Sequence, residues 1–540
     1  MAYREMIRQY PTPQSMPLPG REAEMAPNLA RGYGFKADLG FLFRKWLMLG
    51  TPNNLYYESG QENVKEHLKL AQDYMVQAEA KAVGEMILDA SFKAVNRHTP
   101  ILALAVFSTV NRDDYNRSFQ PLALHVLRTG SHLLELIGYI RELRGFGPKV
   151  RKMLSRWFTM RDAKTLAYQV LKYQNRYGWR MRDVLRMVKI QGRAWSEIDS
   201  VFGWIAGKVG EKKLPDLLAV YEKMCAASFS EEELCATVRA FGLTWEMIPG
   251  NQKLTPAVWR ALFDGMPVEA TIRNLGNLTE KGLFRVGTFE DVEALEERLS
   301  VEKMARTHIH PLNLAMQARM YNAGGEGGKS QLRWAPHPKV SAILYQRAED
   351  LMTKVEPSGR TILHALDVSV SMFMSGSVNG LRPAELAGIM GLTALKSDPK
   401  RSFALYFHQA SIPASMSERH EIADVLNPRS DFWQGVASQG TDVSIPFRYL
   451  LSEGLHADAA VIYTDGQTWA GDRHVSEVVR QVQAKNPAFK AIFVYVVAYD
   501  DRVTLTDPRN PAMHDVVASA DLPQVIRLIL SEEGGMRSVS

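Results

Sequence analysis

From about residue 30 to 350, apolar positions recur three and four apart. ENVKEHLKLAQDYMVQAEAKAVGEMILDASF, PILALAVFSTV, LALHVLRTGSHLLELIGYIREL, PKVRKMLSRWF and DAKTLAYQVLKYQNR all carry this spacing. It is the period of amphipathic helices, and strand-like alternation is scarce here. Gly147-Pro148, Gly178, Pro249-Gly250 and Met266-Pro267 separate one helix from the next. Many medium helices on short connections predict stacked helical pairs of the HEAT or armadillo kind. No clean repeat motif is present, so pattern alone leaves an irregular all-α domain equally open.

The pattern changes near Glu356-Pro357-Ser358-Gly359. Short β-type runs then alternate with helical stretches: TILHALD, a helix after Pro383, SFALYFH, a helix near Ile422, ADAAVIYTD, VSEVVRQVQAK, FKAIFVYVVAY and LPQVIRLILSEE. This alternation predicts a doubly wound α/β domain with its ligand site at the C-terminal ends of the strands. With 540 residues, the chain exceeds what one core usually serves. The expected organisation is an N-terminal extension (1–25), a HEAT-like helical-repeat domain (26–358) and the α/β domain (359–540).

Composition is that of an ordinary folded chain, 46% hydrophobic and 23% charged. No apolar run reaches the roughly 18 residues needed to span a bilayer, so no membrane association is expected. MAYREMIRQYPTPQSMPLPG has no apolar h-region and reads as a loosely ordered, Pro-rich lead-in. Two cysteines in this length favour a reducing, cytoplasmic compartment. Cys225 and Cys235 match no zinc spacing and are expected to be buried structural thiols.

Charge changes the picture through its distribution. Of the net +6, the segment from Arg141 to Arg193 carries fifteen Lys/Arg against three acids, a local +12, which leaves −6 on the remainder. One basic surface on an acidic body predicts a polyanionic partner. Lys172 and Arg176, four apart, are expected to share a helical face. Arg182, Arg186 and Lys189 would continue the ridge on the next helix, and Lys149, Arg151 and Lys152 join by charge alone. Tyr173, Tyr177 and Trp179 close by suit phosphate contacts with added base stacking. A merely solvated basic face is the plainer reading, disfavoured by the concentration.

At the end of the first β-type run, Asp367-Val-Ser369-Val-Ser371 offers a carboxylate and two hydroxyls at alternate positions. Thr441, in SQGTDVS, and Asp465, ending VIYTD, lie at other expected strand ends. Hard oxygen donors of this kind suit Mg²⁺ or Mn²⁺. His364, inside its strand, is expected to be a core residue. The nearby motifs offer no general base with a partner to orient it. Ala323-Gly-Gly-Glu-Gly-Gly328-Lys329-Ser330 has the loose form of a phosphate loop. It follows a helix rather than a strand, and QLRWAPHPK after it cannot start a helix at once, so it is expected to be a flexible linker.

The Asp367, Ser369, Ser371, Thr441, Asp465 set, in this order and strand context, resembles the metal-ion-dependent adhesion site of von Willebrand factor A domains. There the metal binds a partner's acidic group. LKYQNRYGWRMRDVLRM, LTWEMIP, MPVEATIRNLGNLT, IHPLNLAMQARMY and RWAPHPKVSAIL resemble the TROVE module of the Ro autoantigen family. VEPSGRTILHALDVSVSM, QGTDVSIPF, VIYTDGQTWAG and LTDPRNPAMHDVV continue the likeness, which runs from about Tyr33 to the C-terminus. The resemblance implies a HEAT-repeat ring closed by the A domain, of the compact bacterial kind. It implies a non-enzymatic, monomeric protein that binds Y RNA on its basic outer surface. It further implies that single-stranded 3′ ends of misfolded or structured RNA pass through a central hole, with exoribonucleases such as polynucleotide phosphorylase as partners. Lys172 and Arg176 fall where the family contacts Y RNA, and a family histidine aligns with Lys189, which keeps a donor but loses a ring. A protein-binding scaffold acting through the A domain, and a metal-dependent nuclease, are the rival readings. A lone adhesion-type site lacks the second metal and base usual for phosphodiester cleavage.

Overall fold

The computed structural model describes residues 11–51, 60–94, 97–188, 197–208, 214–285, 287, 289–307, 309, 311–325, 332–375, 381–436, 440–499, 502–519 and 521–531. Two short strands, β1 (Met25–Pro27) and β2 (Tyr33–Lys36), precede a long run of helices. The first eight are α1 (Leu39–Leu49), α2 (Gly60–Gln77), α3 (Ala80–Lys93), α4 (Thr99–Thr109), α5 (Asp113–Val126), α6 (Gly130–Leu143), α7 (Pro148–Thr159) and α8 (Ala163–Lys172). A hairpin of β3 (Asn175–Arg176) and β4 (Trp179–Arg180) interrupts them. Then come α9 (Met181–Met187), α10 (Glu197–Ala206), α11 (Asp216–Ala226), α12 (Glu231–Phe241), α13 (Pro256–Asp264) and α14 (Val268–Glu280). The run closes with α15 (Phe289–Arg298), α16 (Val301–Met304), α17 (Pro311–Asn322) and α18 (Pro338–Met352).

Local chemistry sets the helix ends. Asp38 caps α1 by accepting from the Phe41 amide, and Asp162 does the same for Thr165 at the start of α8. Ser230 and Glu233 form a reciprocal capping box on α12, which stops at Gly242 in the left-handed conformation. Each early helix packs on the one two positions along: α3 on α5, α4 on α6, α5 on α7, α6 on α8. This is how antiparallel helical pairs stack into a solenoid, because a single pair cannot bury its apolar face alone. Trp46, Tyr115, Trp157 and Trp259 are fully buried along the stack.

The second half is an α/β sheet in the order β11-β9-β8-β5-β6-β7. Its strands are β5 (Ile362–Asp367), β6 (Ser402–Phe407), β7 (Ser411–Pro413), β8 (Ala459–Thr464), β9 (Lys490–Tyr495) and β11 (Met513–Val517). All pairs are parallel except β6–β7 at the edge. Helices α19 (Val370–Met374), α20 (Pro383–Ser397), α21 (Ile422–Leu426), α22 (Ile445–Ser452), α23 (Val475–Lys485) and α24 (Leu522–Ser531) flank it. Alternation along β5 sends Ile362 and Leu366 to one core and Leu363 and Ala365 to the other. The first core is continuous with the helical stack, whereas the second belongs to this domain apart from Phe41 of α1, which packs against it.

Both ends of the stack dock on the sheet domain, and this closes the ring. At the front, α1 meets β11, with Phe41 edge-on to Tyr495 at 5.5 Å and Lys45 5.3 Å from the same ring. Lys93 on α3 pairs with Asp521 at 2.9 Å. At the back, α18 packs on α20 and α21, Glu349 pairs with Lys396 at 2.6 Å, and Arg319 of α17 pairs with Glu385.

One expectation is corrected. Of the lead-in expected over residues 1–20, residues 1–10 lie outside the described residues, and residues 11–20 are not loose: with the segment to Lys36 they strap the sheet domain, β2 pairing β1 on one side and β10 (Val503–Thr504) on the other. Arg21 reaches the buried carboxylate of Asp507 at 2.7 Å, and Gln14 is fully buried. Prolines remove donors and weaken the local pattern, and here tertiary partners supply the order. The cysteines are a second correction, since Cys225 is exposed and Cys235 half-buried on the outer sides of α11 and α12. His364 is the buried, neutral core residue expected, its Nδ1 3.2 Å from the Tyr463 hydroxyl and its pKa pushed down to about 3 by burial. The Gly-rich stretch does follow a helix, α17, and its Gly328, Lys329 and Ser330 lie outside the described residues.

Candidate metal centre and candidate RNA surface

β5 has β8 on one side and β6 on the other, so the order of winding reverses at its C-terminal end, the place where sheets wound this way bind their ligands. Asp367 is the last residue of β5 and is almost fully buried. Its Oδ1 accepts from the Ser369 amide at 2.9 Å and its Oδ2 from the Thr464 hydroxyl at 2.7 Å. Ser369 stands just before the short α19 without a side-chain capping bond, and its Oγ lies 3.3 Å from the Ser371 Oγ. Asp465 follows β8, with Oδ1 accepting from the Gln467 amide at 2.9 Å. The chain turns there at Gly466, whose φ of +84 and a neighbouring Tyr495 ring 2.8 Å from any Cβ leave room only for glycine.

Thr441 enters from the third loop. Its carbonyl accepts from the Thr468 hydroxyl at 3.1 Å and from the amides of Trp469 and Ala470 at 3.1 and 2.9 Å. The Asp442 amide donates to the His408 carbonyl at the end of β6. Asp367, Ser369, Ser371, Thr441 and Asp465 are all at least 98% buried. Burial pushes the Asp367 carboxyl up to about 6, against the pull of its hydrogen bonds. Among the described residues no Lys or Arg pairs with Asp367. A buried carboxylate without a counter-charge is costly, and a bound cation removes that cost. Two carboxylates and three hydroxyls therefore fit a hard divalent ion.

The basic segment folds differently from its helical pattern. α8 ends at Lys172, with Tyr173 at its C-cap, so Lys172 and Arg176 do not share a helical face. Arg176 stands in β3, and the hairpin turns through Tyr177 (φ +52) and Gly178 (φ +75), the left-handed pair of a tight two-residue turn. Tyr is a poor residue for that conformation. Its hydroxyl is held by Glu135, which also accepts from Tyr139 at 3.2 Å and lies 2.7 Å from His98.

Trp179, in β4, joins the two basic groups. Phe146 meets it edge-on at 5.5 Å, the Arg141 guanidinium lies 5.7 Å above its ring, and Arg151 donates to the Phe146 carbonyl. Arg151 near the start of α7 is thus linked to the hairpin through Phe146, whereas Lys149 on the same helix reaches α5 and Lys152 is exposed. Lys149 donates to Asn116 at 2.8 Å and has its pKa pushed down to about 8 by burial and Arg144. Lys172 lies over the rings of Tyr168 and Tyr173. Arg182 and Arg186 are four apart on α9, but Arg182 caps the end of α10 through the Ala206 carbonyl at 2.9 Å. Lys189 lies outside the described residues. Arg141 and Arg180 were counted in the charge run but not singled out; their place beside Trp179 depends on the hairpin, which a helical pattern concealed.

The fold and site define a helical-repeat ring closed by an A-type domain. The Ro60 vWA domain model matches residues 360–529, and the TROVE domain model matches residues 240–352. The RNA-binding protein RO60 of Deinococcus radiodurans is 28% identical over 525 residues, covering 95% of this chain and 96% of that one. That of Caenorhabditis elegans is 25% identical over 595 residues, covering 92% and 89%. The crystal structure of Deinococcus radiodurans RO (RSR) protein superimposes with a TM-score of 0.66 at 25% identity, covering 91% of this chain and 99% of that one. The chain belongs to the Ro family. Among the described residues no helix is long and apolar enough to cross a membrane.

Proposed function

We propose that this protein binds RNA as a monomeric cytoplasmic ring. A small structured RNA of the Y RNA kind lies on the surface around the β3–β4 hairpin and the start of α7. Single-stranded 3′ ends of misfolded or structured RNA enter the central hole, and exoribonucleases such as polynucleotide phosphorylase act on what the ring presents. The observation that carries this reading is the gathering of Arg141, the Arg176 hairpin and, through Phe146, Arg151 around Trp179. Affinity of this kind is electrostatic first and steeply salt-dependent, with duplex RNA gripped by backbone and shape.

The metal centre, in the same proposal, holds Mg²⁺ or Mn²⁺ through Asp367, Ser369, Ser371, Thr441 and Asp465. The ion would supply an open coordination position for an acidic group of a partner. Asp367→Asn should therefore abolish Mn²⁺ binding in a direct titration while leaving RNA affinity nearly intact. Changing outer hydrogen-bond partners alone weakens metal sites about 10–100-fold, so loss of a ligand carboxylate should exceed that. Loss of RNA binding in a folded Asp367→Asn protein would end the separation of the two sites.

The test of the whole reading is to purify the protein at low salt from its own cells and sequence the RNA that comes with it. A dominant small structured RNA supports it. A preparation free of specific RNA, with a protein partner released by EDTA, would favour the A-domain scaffold. Incubation with labelled RNA and Mg²⁺ should leave the RNA uncut.

A further inference from the structure

The N-terminal strap reaches the loop between the second and third parts of the candidate metal centre. The Asn28 side chain donates to the Thr468 carbonyl at 2.7 Å, and its own Oδ1 accepts from the Gly32 amide at 2.9 Å. The Ala30 amide donates to the Gln467 side chain at 3.3 Å. Gly32 lies flush against the loop: a Cβ there would stand 1.8 Å from the Thr468 carbonyl oxygen. Further along, Gln14 bonds at both ends, its amide to the Gly471 carbonyl and its side chain to the Val475 amide.

Gln467 and Thr468 are the residues that hold the two ligand loops together. The Gln467 amide fixes Asp465, and the Thr468 hydroxyl fixes the carbonyl of Thr441 and accepts from the Val443 amide at 3.2 Å. Hydrogen bonds therefore run unbroken from Asn28 and Ala30, through Gln467 and Thr468, to Asp465 and Thr441.

We propose that the strap segment from Asn28 to Gly32 positions the metal centre, so that the divalent-ion site of the A domain is fully formed only when the N-terminus is seated on it. The proposal rests on the metal reading above. The strap does not touch the ion: it sets the positions of Asp465 and Thr441, as outer hydrogen-bond partners do at other metal sites. The coupling is reciprocal, because an ion that favours the ordered loop must also favour the seated strap. The same strap leads through β2 directly into α1, so occupancy of the metal site bears on the front seam of the ring.

The test is a direct Mn²⁺ titration of the full-length protein, read by electron paramagnetic resonance. The variants are Asn28→Ala, which removes the donor to Thr468, and Gly32→Ala, which places a methyl group against its carbonyl. Thr12→Ala, whose contacts go to Glu477 away from the loop, is the control. Mn²⁺ affinity should fall about tenfold in the first two and stay at the wild-type value in the control. Hydrogen exchange across residues 26–34 should slow when Mn²⁺ is added to the wild type, a readout that a merely stabilising strap would not move. Wild-type affinity in both Asn28→Ala and Gly32→Ala overturns the strap proposal alone. Absence of Mn²⁺ binding by the wild type overturns the metal reading, and the strap proposal with it. If Gly32→Ala fails to fold, Asn28→Ala decides.

Discussion

Replacing Lys172 and Arg176 together by alanine should weaken binding of a small structured RNA by about 10–100-fold near 100 mM salt. The slope of log affinity against log salt should also become shallower by about 1.5, because each lost phosphate contact removes roughly 0.7–0.9. The fold should survive. Lys172 ends α8 over two tyrosine rings, and Arg176 makes one long contact, 3.9 Å, to Glu246. Exposed pairs of that kind contribute about 0–1 kcal/mol. Glu246→Gln releases Arg176 and removes a negative charge beside it, so it should leave RNA affinity unchanged or raised. Wild-type affinity in the Lys172, Arg176 double variant at moderate salt would remove the hairpin from the RNA surface.

Asp507→Asn should destabilise the A domain by about 3–5 kcal/mol, the usual cost of stranding a buried charge. Asp507 is fully buried, and its Oδ2 takes Arg21 at 2.7 Å, Ser476 at 2.8 Å and Arg480 at 2.5 Å. Burial pushes the carboxyl upward, but the Arg21 hydrogen bond and the other donors outweigh it and hold the pKa down at about 2. Since the folded value lies below the unfolded value of about 4, the carboxylate stabilises the fold fully above pH 4. That contribution is lost as pH falls from about 4 through 2. Denaturant midpoints measured between pH 2 and 7 should therefore converge for Asp507→Asn and wild type at the acid end. A variant as stable as wild type at pH 7 would mean that the strap is not held by this charge.

Much of the architecture was legible because its signals are local. The 3.6-residue period of α3 to α8 and the short runs of apolar, aromatic and β-branched residues in β5, β6, β8 and β9 need no distant partner to be recognised. β11 was missed because His514 and Asp515 break its apolar run; Asp515 is tolerated only because Thr504 and Tyr495 hydrogen-bond it. Residues 11–36 were missed for the same reason, since their order comes from Asp507, Gly471 and Thr468, hundreds of residues away. The hairpin at Tyr177-Gly178 was hidden because Arg176 falls at helical spacing from Lys172 and only Glu135 on α6 shows why the chain turns.

The sequence by itself determined that a helical repeat joins a doubly wound sheet, that one segment holds the positive charge, and that oxygen donors stand at strand ends. Each of these depends on residue type and near spacing. Only the tertiary structure decided that Trp179 gathers Arg141 and the Arg176 hairpin, that Thr464 and Thr468 fix Asp367 and the Thr441 carbonyl, and that the N-terminus straps the loop that holds Thr468. Those arrangements depend on contacts between residues far apart in the chain, whose partners no local period can name.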